Sequence, residues 1–578
     1  MNANMAPIST LFCWYFGFMC NVNASQAALV QTGHTNPLKN HQPHHPATDE
    51  NDRFPQQDIV PYSNSTQHYS VSINTSKAIH IVDRRYLSTG FGASSVTKKF
   101  NLKGFDPKSV ILQTLLRGLS PAILRVGGRS GDEVIFALNG SSNTIPHPWI
   151  NVNHFLTGEQ WRNLNEFCLK SKVDLAFTLN LALRKGDAWD PTNAKQLLDF
   201  NANLGYRVIW ELGNEPKRFR KNYNKTIIAR QLAKDFITLR GILSEDRYRY
   251  SNELVGPDMD HLPIRDCITN LKPEFSPSSS EYLQRFLEHA GDAINATTVH
   301  FYNIDPDNRT SVDNFTDPDI LLRTRCELEK FRQTMRDSMP TGSREKWLGE
   351  TSTVSSGGLE GVSNRYVAGF PLLHNLGLAA EMGVSVFIYW NLFNAGYSLL
   401  KPISDHYTPT PLYWVCFLHK RLLDTHVLSV SYKIDGSSDE MRGNEKNRSF
   451  VYVFAHCTKT TQSYPAGAVT IIAVNLYNDT EASLNLTENL MNKNIDEYLL
   501  TAPEGILTSK NISLNGRVLQ MKNFTHFPDI TPRPLPVGSP ILLPPRTYGF
   551  YVIKDAEAAA CQEKELKADG GFKMQTNR

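Results

Sequence analysis

Val208-Ile209-Trp210-Glu211-Leu212-Gly213-Asn214-Glu215-Pro216 is the stretch on which the reading of the 578-residue chain turns. Val208, Ile209 and Trp210 are strand formers, and Gly213 and Pro216 bound the run. The segment reads as a buried strand that runs into a polar turn. Pro216 disfavours helical geometry at Glu215, so this carboxylate stands where the strand has ended. Barrel enzymes keep catalytic groups at that position. The competing role for Asn214 is to cap a following helix, with Pro216 in its first turn. A second stretch, Lys346-Trp347-Leu348-Gly349-Glu350-Thr351-Ser352, has the same form. Two strand-end carboxylates far apart in sequence suit a two-carboxylate glycosidase, in which one protonates the leaving oxygen and the other attacks the anomeric carbon.

Asn-Glu-Pro after one strand and Trp-Leu-Gly-Glu-Thr-Ser after a later one resemble heparanase and its relatives in glycoside hydrolase family 79. The resemblance runs from about Val71 to Cys561. It implies Glu215 as acid/base after the fourth barrel strand and Glu350 as nucleophile at the end of the seventh. The implied activity is a retaining endo-β-glucuronidase cleaving heparan sulfate or a related glycosaminoglycan, without metal or organic cofactor. Hyaluronan cleavage, exo action and a catalytically inactive heparan-sulfate-binding homologue are the alternatives. In such a pair the charged nucleophile is expected to raise the acid's pKa. The resemblance further implies that Asn214 meets the sugar 2-hydroxyl and that Tyr302, in His300-Phe301-Tyr302, contacts the nucleophile. His300 is a substrate-side candidate or a satisfied core histidine. Gly357 and Gly358 are expected to offer backbone N–H groups to a uronate carboxylate. Three positions depart from the family pattern: Gly92 stands where an Asp is usual, Ser355-Ser356-Gly357 replaces Tyr-Gly-Gly, and Trp390 replaces a polar residue. The stretch from Leu138 to Gly158 is short where the family proenzyme carries a long excised segment, so activity without excision is expected.

Charge adds a substrate signal. The net charge of +3 is too small to imply a polyanion partner by itself, and nothing points to nucleic acid. Lys217, Arg218, Arg220, Lys221 and Lys225, however, follow the Asn-Glu-Pro turn directly. A loop after a barrel strand opens on the active-site face, so these side chains are expected to rim the cleft and attract carboxylate and sulfate groups. Lys98, Lys99, Lys103, Arg129, Arg184 and Lys185 are further candidates for that rim. A solvated loop is the plainer alternative. Glu211, inside the strand, reads as structural.

Strands alternate with helical stretches along the chain, which argues for a parallel α/β fold, here a (β/α)8 TIM-type barrel. Expected barrel strands lie near Tyr86–Gly92, Ala122–Gly128, Asp174–Asn180, Val208–Leu212, Glu253–Asp258, Thr297–Tyr302, Lys346–Glu350 and Val384–Trp390. Short strands after about Val427, among them Phe450–Ala455, Ala468–Asn475, Ile506–Thr508 and Tyr548–Ile553, suggest a C-terminal β-sandwich. The expected organisation is a signal peptide over 1–27, a disordered lead-in over 28–66, and strands over 67–82 that join the sandwich. The barrel then occupies 83–426, the sandwich 427–561 and a mobile tail 562–578.

The apolar run from Ile8 to Cys20 is signal-peptide length and too short to span a bilayer. With twelve Asn-x-Ser/Thr sequons from Asn64 to Asn523, it points to a secreted, extracellular-matrix or lysosomal glycoprotein. No later stretch reads as a transmembrane helix, and the expected membrane contact is peripheral association with cell-surface proteoglycans. The resemblance implies a disulfide between Cys457 and Cys561. Cys267 with Cys326 is a second candidate pair, and Cys168 reads as free.

Overall fold

The computed structural model describes residues 65–562 apart from 98–104, 140–144, 147–148, 150, 153, 263–277, 308, 340–343, 404–405, 438–439, 443–448 and 461–463. The expected signal peptide, most of the lead-in and of the C-terminal tail, Lys98, Lys99, Lys103 and Cys267 lie outside the described residues.

Eight parallel strands close a barrel: Leu87–Gly92, Ile123–Gly127, Asp174–Leu179, Val208–Leu212, Leu254–Met259, Ala296–Ile304, Glu345–Val354 and Val386–Trp390. Pairing of Phe387 with Leu87 joins the eighth strand to the first. A helix of nine or more residues follows each strand, from Val110–Gly118 to Pro411–Leu422. Side chains alternate between the two faces of a strand. The inward set at mid-barrel is apolar: Ile123, Ala176, Ile209, Val255, Ala296, Trp347, Val386 and Ile388 form one closed cluster. This layer is a packed plug, so the barrel opens only at its ends. Local signals agree with the helices. Thr157 and Gln160 make a reciprocal capping box at the start of Gly158–Ser171, and Lys172 ends that helix in the left-handed conformation.

The strand Ser65–Ile81 precedes the barrel yet belongs to the second layer. It pairs antiparallel with Leu423–Ile434 and parallel with Thr480–Leu486. These strands belong to a twelve-stranded mixed sheet that also includes Val451–Thr458, Val469–Asn475, Ile495–Thr501 and Thr547–Ile553. Inward residues from both ends of the strand path, including Ile495 and Ile541, share one apolar cluster with Val71, Val430 and Ile471, so the sheet curls on itself as a sandwich does. The segment Ile506–Thr508, expected as a strand, is a turn. Pro503–Gly505 forms a short 3-10 turn and Gly505 has φ +69°, which breaks extended pairing, while Ile495–Thr501 supplies the strand.

The helix Gly369–Glu381 is buried along its whole length. A helix apolar on all sides must be covered on all sides, and this one lies between barrel and sheet. At Gly377 a Cβ would collide with the Phe454 ring, so glycine permits the close approach of the sheet. Tyr548 donates to the Tyr366 carbonyl at 2.9 Å across the same seam.

Cys457 and Cys561 form a disulfide, with Cα atoms 5.3 Å apart. Cys326 is also disulfide-bonded; Cys267, its expected partner, lies outside the described residues. Cys168 and Cys416 are free and buried. The Cys457–Cys561 bridge spans 104 residues, and a loop of that size constrains the unfolded chain strongly. Replacing both cysteines with alanine is expected to cost about 2–5 kcal/mol, read as a lower Tm. An unchanged Tm would show that the bridge does not stabilise this layer.

Candidate active site

The polar end of the barrel follows from strand parity. Two residues beyond the apolar plug, on the same inward face, stand Arg125 after Ile123, Thr178 after Ala176, Glu211 after Ile209 and Trp390 after Ile388. Arg125 is fully buried and makes four side-chain contacts. Its Nε donates to Glu211 at 2.9 Å, one terminal nitrogen to Glu350 Oε2 at 3.0 Å, and the other to Asn214 Oδ1 at 2.9 Å and Asp258 Oδ2 at 2.7 Å. The Trp390 ring lies 5.3 Å from the guanidinium carbon, a cation–π contact that also satisfies the face of the fork. The aromatic at this position therefore supports the arginine.

Glu350 lies inside its strand, which continues to Val354. The expected strand end is a bulge: pairing with the sixth strand runs Val299 to Leu348 and then His300 to Glu350. The skipped residue is Gly349, where a Cβ would come within 2.7 Å of Asp258 Oδ1. The glycine thus lets a buried carboxylate pass beside the strand, and the bulge turns Glu350 into the site. Tyr302 donates to Glu350 Oε1 at 2.5 Å.

Glu215 follows the fourth strand with φ +48°, a left-handed conformation that costs a non-glycine residue about 1–2 kcal/mol. Its amide donates to the Asp258 carbonyl at 2.9 Å, which holds the turn. Asn214 does not cap a helix. Its amide donates to buried Asp132 at 3.0 Å while its side-chain oxygen accepts from Arg125.

His300 links the two glutamates. Its Nδ1 is 3.2 Å from Glu215 Oε1 and its Nε2 faces Asp258 Oδ1 across 3.5 Å. A carboxylate oxygen of Glu215, a ring nitrogen of His300 and a carboxylate oxygen of Glu350 all lie within 4.8 Å of one another. Burial alone would lower the imidazole pKa. The charge of Glu350, with Asp258 and Glu215 at the ring nitrogens, outweighs it and lifts His300 to about 10. Burial pushes Glu211 up to about 7 against the pull of Arg125. For Glu215 burial also pushes upward, but the His300 imidazolium, helped by Arg218 and His261, holds it below the usual carboxylate value. The expectation that Glu350 would raise the Glu215 pKa is therefore reversed in the free protein, because an imidazolium stands between the two carboxylates.

The matches to known proteins bear on the same residues. Residues 91–377 match the glycosyl hydrolase family 79 N-terminal domain. Heparanase of Bos taurus is 34% identical over 534 residues, covering 84% of this chain and 91% of that protein. The chain belongs to glycosyl hydrolase family 79. It is a glycoside hydrolase by that membership. Inactive heparanase-2 of Homo sapiens is 32% identical, over 71% of this chain and 66% of its own. Hyaluronoglucuronidase of Hirudo nipponia is 29% identical, over 86% and 99%.

The remaining expected site residues divide by environment. Arg220 and Lys221 are exposed, and Lys217 is half-buried with its ammonium 3.1 Å from Ser279 Oγ. Arg218 pairs with Glu215 Oε2 at 3.0 Å. Arg129 is largely exposed, pairs with Glu133 at 3.3 Å and lies over the Tyr223 ring. Arg184 is not a rim cation: it is buried and paired with Asp235 at 2.8 Å, since a guanidinium taken from water needs a carboxylate beside it. His300 is buried as well, with Glu215, Asp258 and Glu350 around its ring nitrogens. Gly357 and Gly358 have φ +103° and +86°, and the Gly357 carbonyl accepts from Gly396 at 2.7 Å. Gly92 leaves space beside Ser130 Oγ, which a Cβ would meet at 3.3 Å. Among the described residues no helix is long and apolar enough to cross a membrane.

Two outcomes follow from this geometry. Arg125→Ala strips three buried carboxylates of their shared cation and is expected to cost about 3–5 kcal/mol in denaturant unfolding; wild-type stability would contradict the role of the fork. With Glu215 as the general acid that the sequence resemblance implies, which must be protonated to act, its lowered pKa puts the alkaline limb of kcat/KM on the acid side of neutrality. His300→Gln removes the imidazolium and leaves burial to raise Glu215, so the limb is expected to move to higher pH. A limb that stays in place would remove His300 from the control of Glu215.

Proposed function

We propose that the protein is a retaining endo-β-glucuronidase that cleaves glucuronosyl linkages in heparan sulfate. Glu215 serves as acid/base and Glu350 as nucleophile. The observation that supports this most is the close approach of the two carboxylates, within 4.8 Å between their nearest oxygens. Retaining glycosidases hold their carboxyls about 5–5.5 Å apart, whereas inverting enzymes need about 6.5–9.5 Å to admit a water. Arg125 and Tyr302 each occupy one oxygen of Glu350, which orients the carboxylate for attack. The attack forms a glycosyl ester at Glu350 as Glu215 gives its proton to the leaving oxygen. Glu215 then takes a proton from the water that releases the ester. Asn214, held by Asp132 at its amide and by Arg125 at its side-chain oxygen, is the assigned contact for the 2-hydroxyl. Gly357 and Gly358 are the assigned contacts for the uronate carboxylate.

The choice of a sulfated chain rests on the cations along the loop after Glu215, of which Arg220 and Lys221 are open to solvent. An unsulfated polymer needs such a rim less. Hyaluronan is the second reading, favoured by the similarity to the leech hyaluronoglucuronidase over 86% of this chain. Glycan binding without turnover is the third, favoured by the match to inactive heparanase-2. We assign the protein to a secreted, extracellular-matrix or lysosomal setting with peripheral proteoglycan contact. We expect it to work without internal excision.

Reducing-end release from heparan sulfate and hyaluronan, measured in parallel, separates these readings. Wild type is expected to cleave heparan sulfate, with Glu215→Gln and Glu350→Gln each at least about 1,000-fold slower. Cleavage of hyaluronan alone would move the substrate. Binding of either polymer without cleavage would leave a binding protein on a glycosidase scaffold.

A further inference from the structure

Each oxygen of Glu215 has its own cation. Oε1 faces His300 and Oε2 faces Arg218, at 3.2 and 3.0 Å. The two cations differ in freedom. His300 is 1% exposed and fixed among Glu215, Asp258 and Glu350. Arg218 is carried on the short turn Pro216–Arg218, its side chain is 31% exposed, and Asp260 offers it a second carboxylate at 3.7 Å. A general acid needs one carboxyl oxygen that carries a proton and faces the glycosidic oxygen. In the free protein the oxygen away from His300 is the one Arg218 covers.

We propose that Arg218 is a positioning residue that senses charge on the leaving side of the substrate. A sulfate or carboxylate on the leaving saccharide takes the guanidinium from Glu215 Oε2, and that oxygen then takes up a proton from solvent. The exchange is balanced in charge. An Arg218–Glu215 ion pair and a free anion become an Arg218–anion pair and a neutral Glu215 carboxyl, with one proton consumed. The proton passes to the leaving oxygen in the first chemical step. The leaving side is the relevant one because the acid reaches the glycosidic oxygen there, and Arg218 lies against the acid. A planar fork suits sulfate and carboxylate bidentately, and a half-exposed arginine with a second carboxylate in reach can exchange partners.

Other charges facing Glu215 set the background for this exchange. Asp258 and Asp260 with His261 come from the fifth strand and its following loop, His300 and Tyr302 from the sixth strand, and Glu350 from the seventh. Asp305 adds its field at Arg218. None of these reaches Glu215 Oε2 as a donor in the free protein, so the release of Arg218 changes the state of that oxygen directly.

The inference rests on the acid/base role of Glu215, and its test separates the two. The probes are glucosamine N,6-disulfate and N-acetylglucosamine, neither of which has a glycosidic bond to cleave. Calorimetric titration in buffers of different ionisation heat, at about pH 5.5, counts protons taken up on binding. Wild type is expected to take up more protons with the disulfate than with the neutral sugar, by a fraction of a proton, because His300 still faces Glu215 Oε1. Arg218→Gln is expected to lose the difference, and Arg218→Lys to retain part of it. In turnover, Arg218→Gln is expected to narrow the heparan sulfate to hyaluronan ratio of kcat/KM by about tenfold or more. No binding of the disulfate, or equal proton counts for both sugars or for wild type and Arg218→Gln, would overturn the proposal. Charge-dependent proton uptake in a protein that cleaves neither polymer would retain this inference and remove the catalytic reading.

Discussion

A guanidinium in a closed barrel is the constraint from which the site follows. Arg125 has no exposed surface, and its partners Glu211, Asp258 and Glu350 are buried with it. Taking such charges from water is expensive unless each finds a partner in good geometry. The cluster meets that condition through one five-donor fork and one imidazolium. Those cations face Glu211, Asp258, Glu350 and Glu215, so negative charge is in excess. The excess explains why His300 keeps its proton far above the ordinary imidazole value, while burial, against the pull of Arg125, lifts Glu211 to about 7. Positioning and electrostatics are here one interaction: the contacts that hold the glutamates in place also set their charge.

Much of this was readable along single strands. Val208–Pro216 and Lys346–Ser352 announced a carboxylate after a short apolar run, and the barrel set both at one end. Parity also places the arginine. Arg125 lies two residues after Ile123 and Glu211 two after Ile209, so both belonged to the inward face of strands whose neighbours formed the plug. A buried inward arginine requires carboxylates at the same height, and Glu211, in a structural role, is one of them.

What sequence could not supply was alignment between strands. Asp258 became a partner of Arg125 only through closure of the barrel, and Glu350 reached its level through a bulge at Gly349. The low pKa of Glu215 is hidden from single strands for the same reason: the imidazole beside both carboxylates comes from a third strand. Arg184 and Arg218 looked alike as rim cations, yet one is buried on Asp235 and the other rests on the acid itself. The second layer shows the same limit. Ser65–Ile81 alternates clearly in sequence, but its partners lie more than 300 residues away.

The central claim is that Glu350 attacks and forms a covalent intermediate while Glu215 handles the proton. Incubation with a 2-deoxy-2-fluoro-glucuronosyl fluoride, which slows release of the ester, followed by peptide mass spectrometry tests it most directly. The account predicts one fluoroglucuronosyl group, carried on Glu350. A label on Glu215, or an intact protein that hydrolyses the reagent without ever carrying it, would contradict the account.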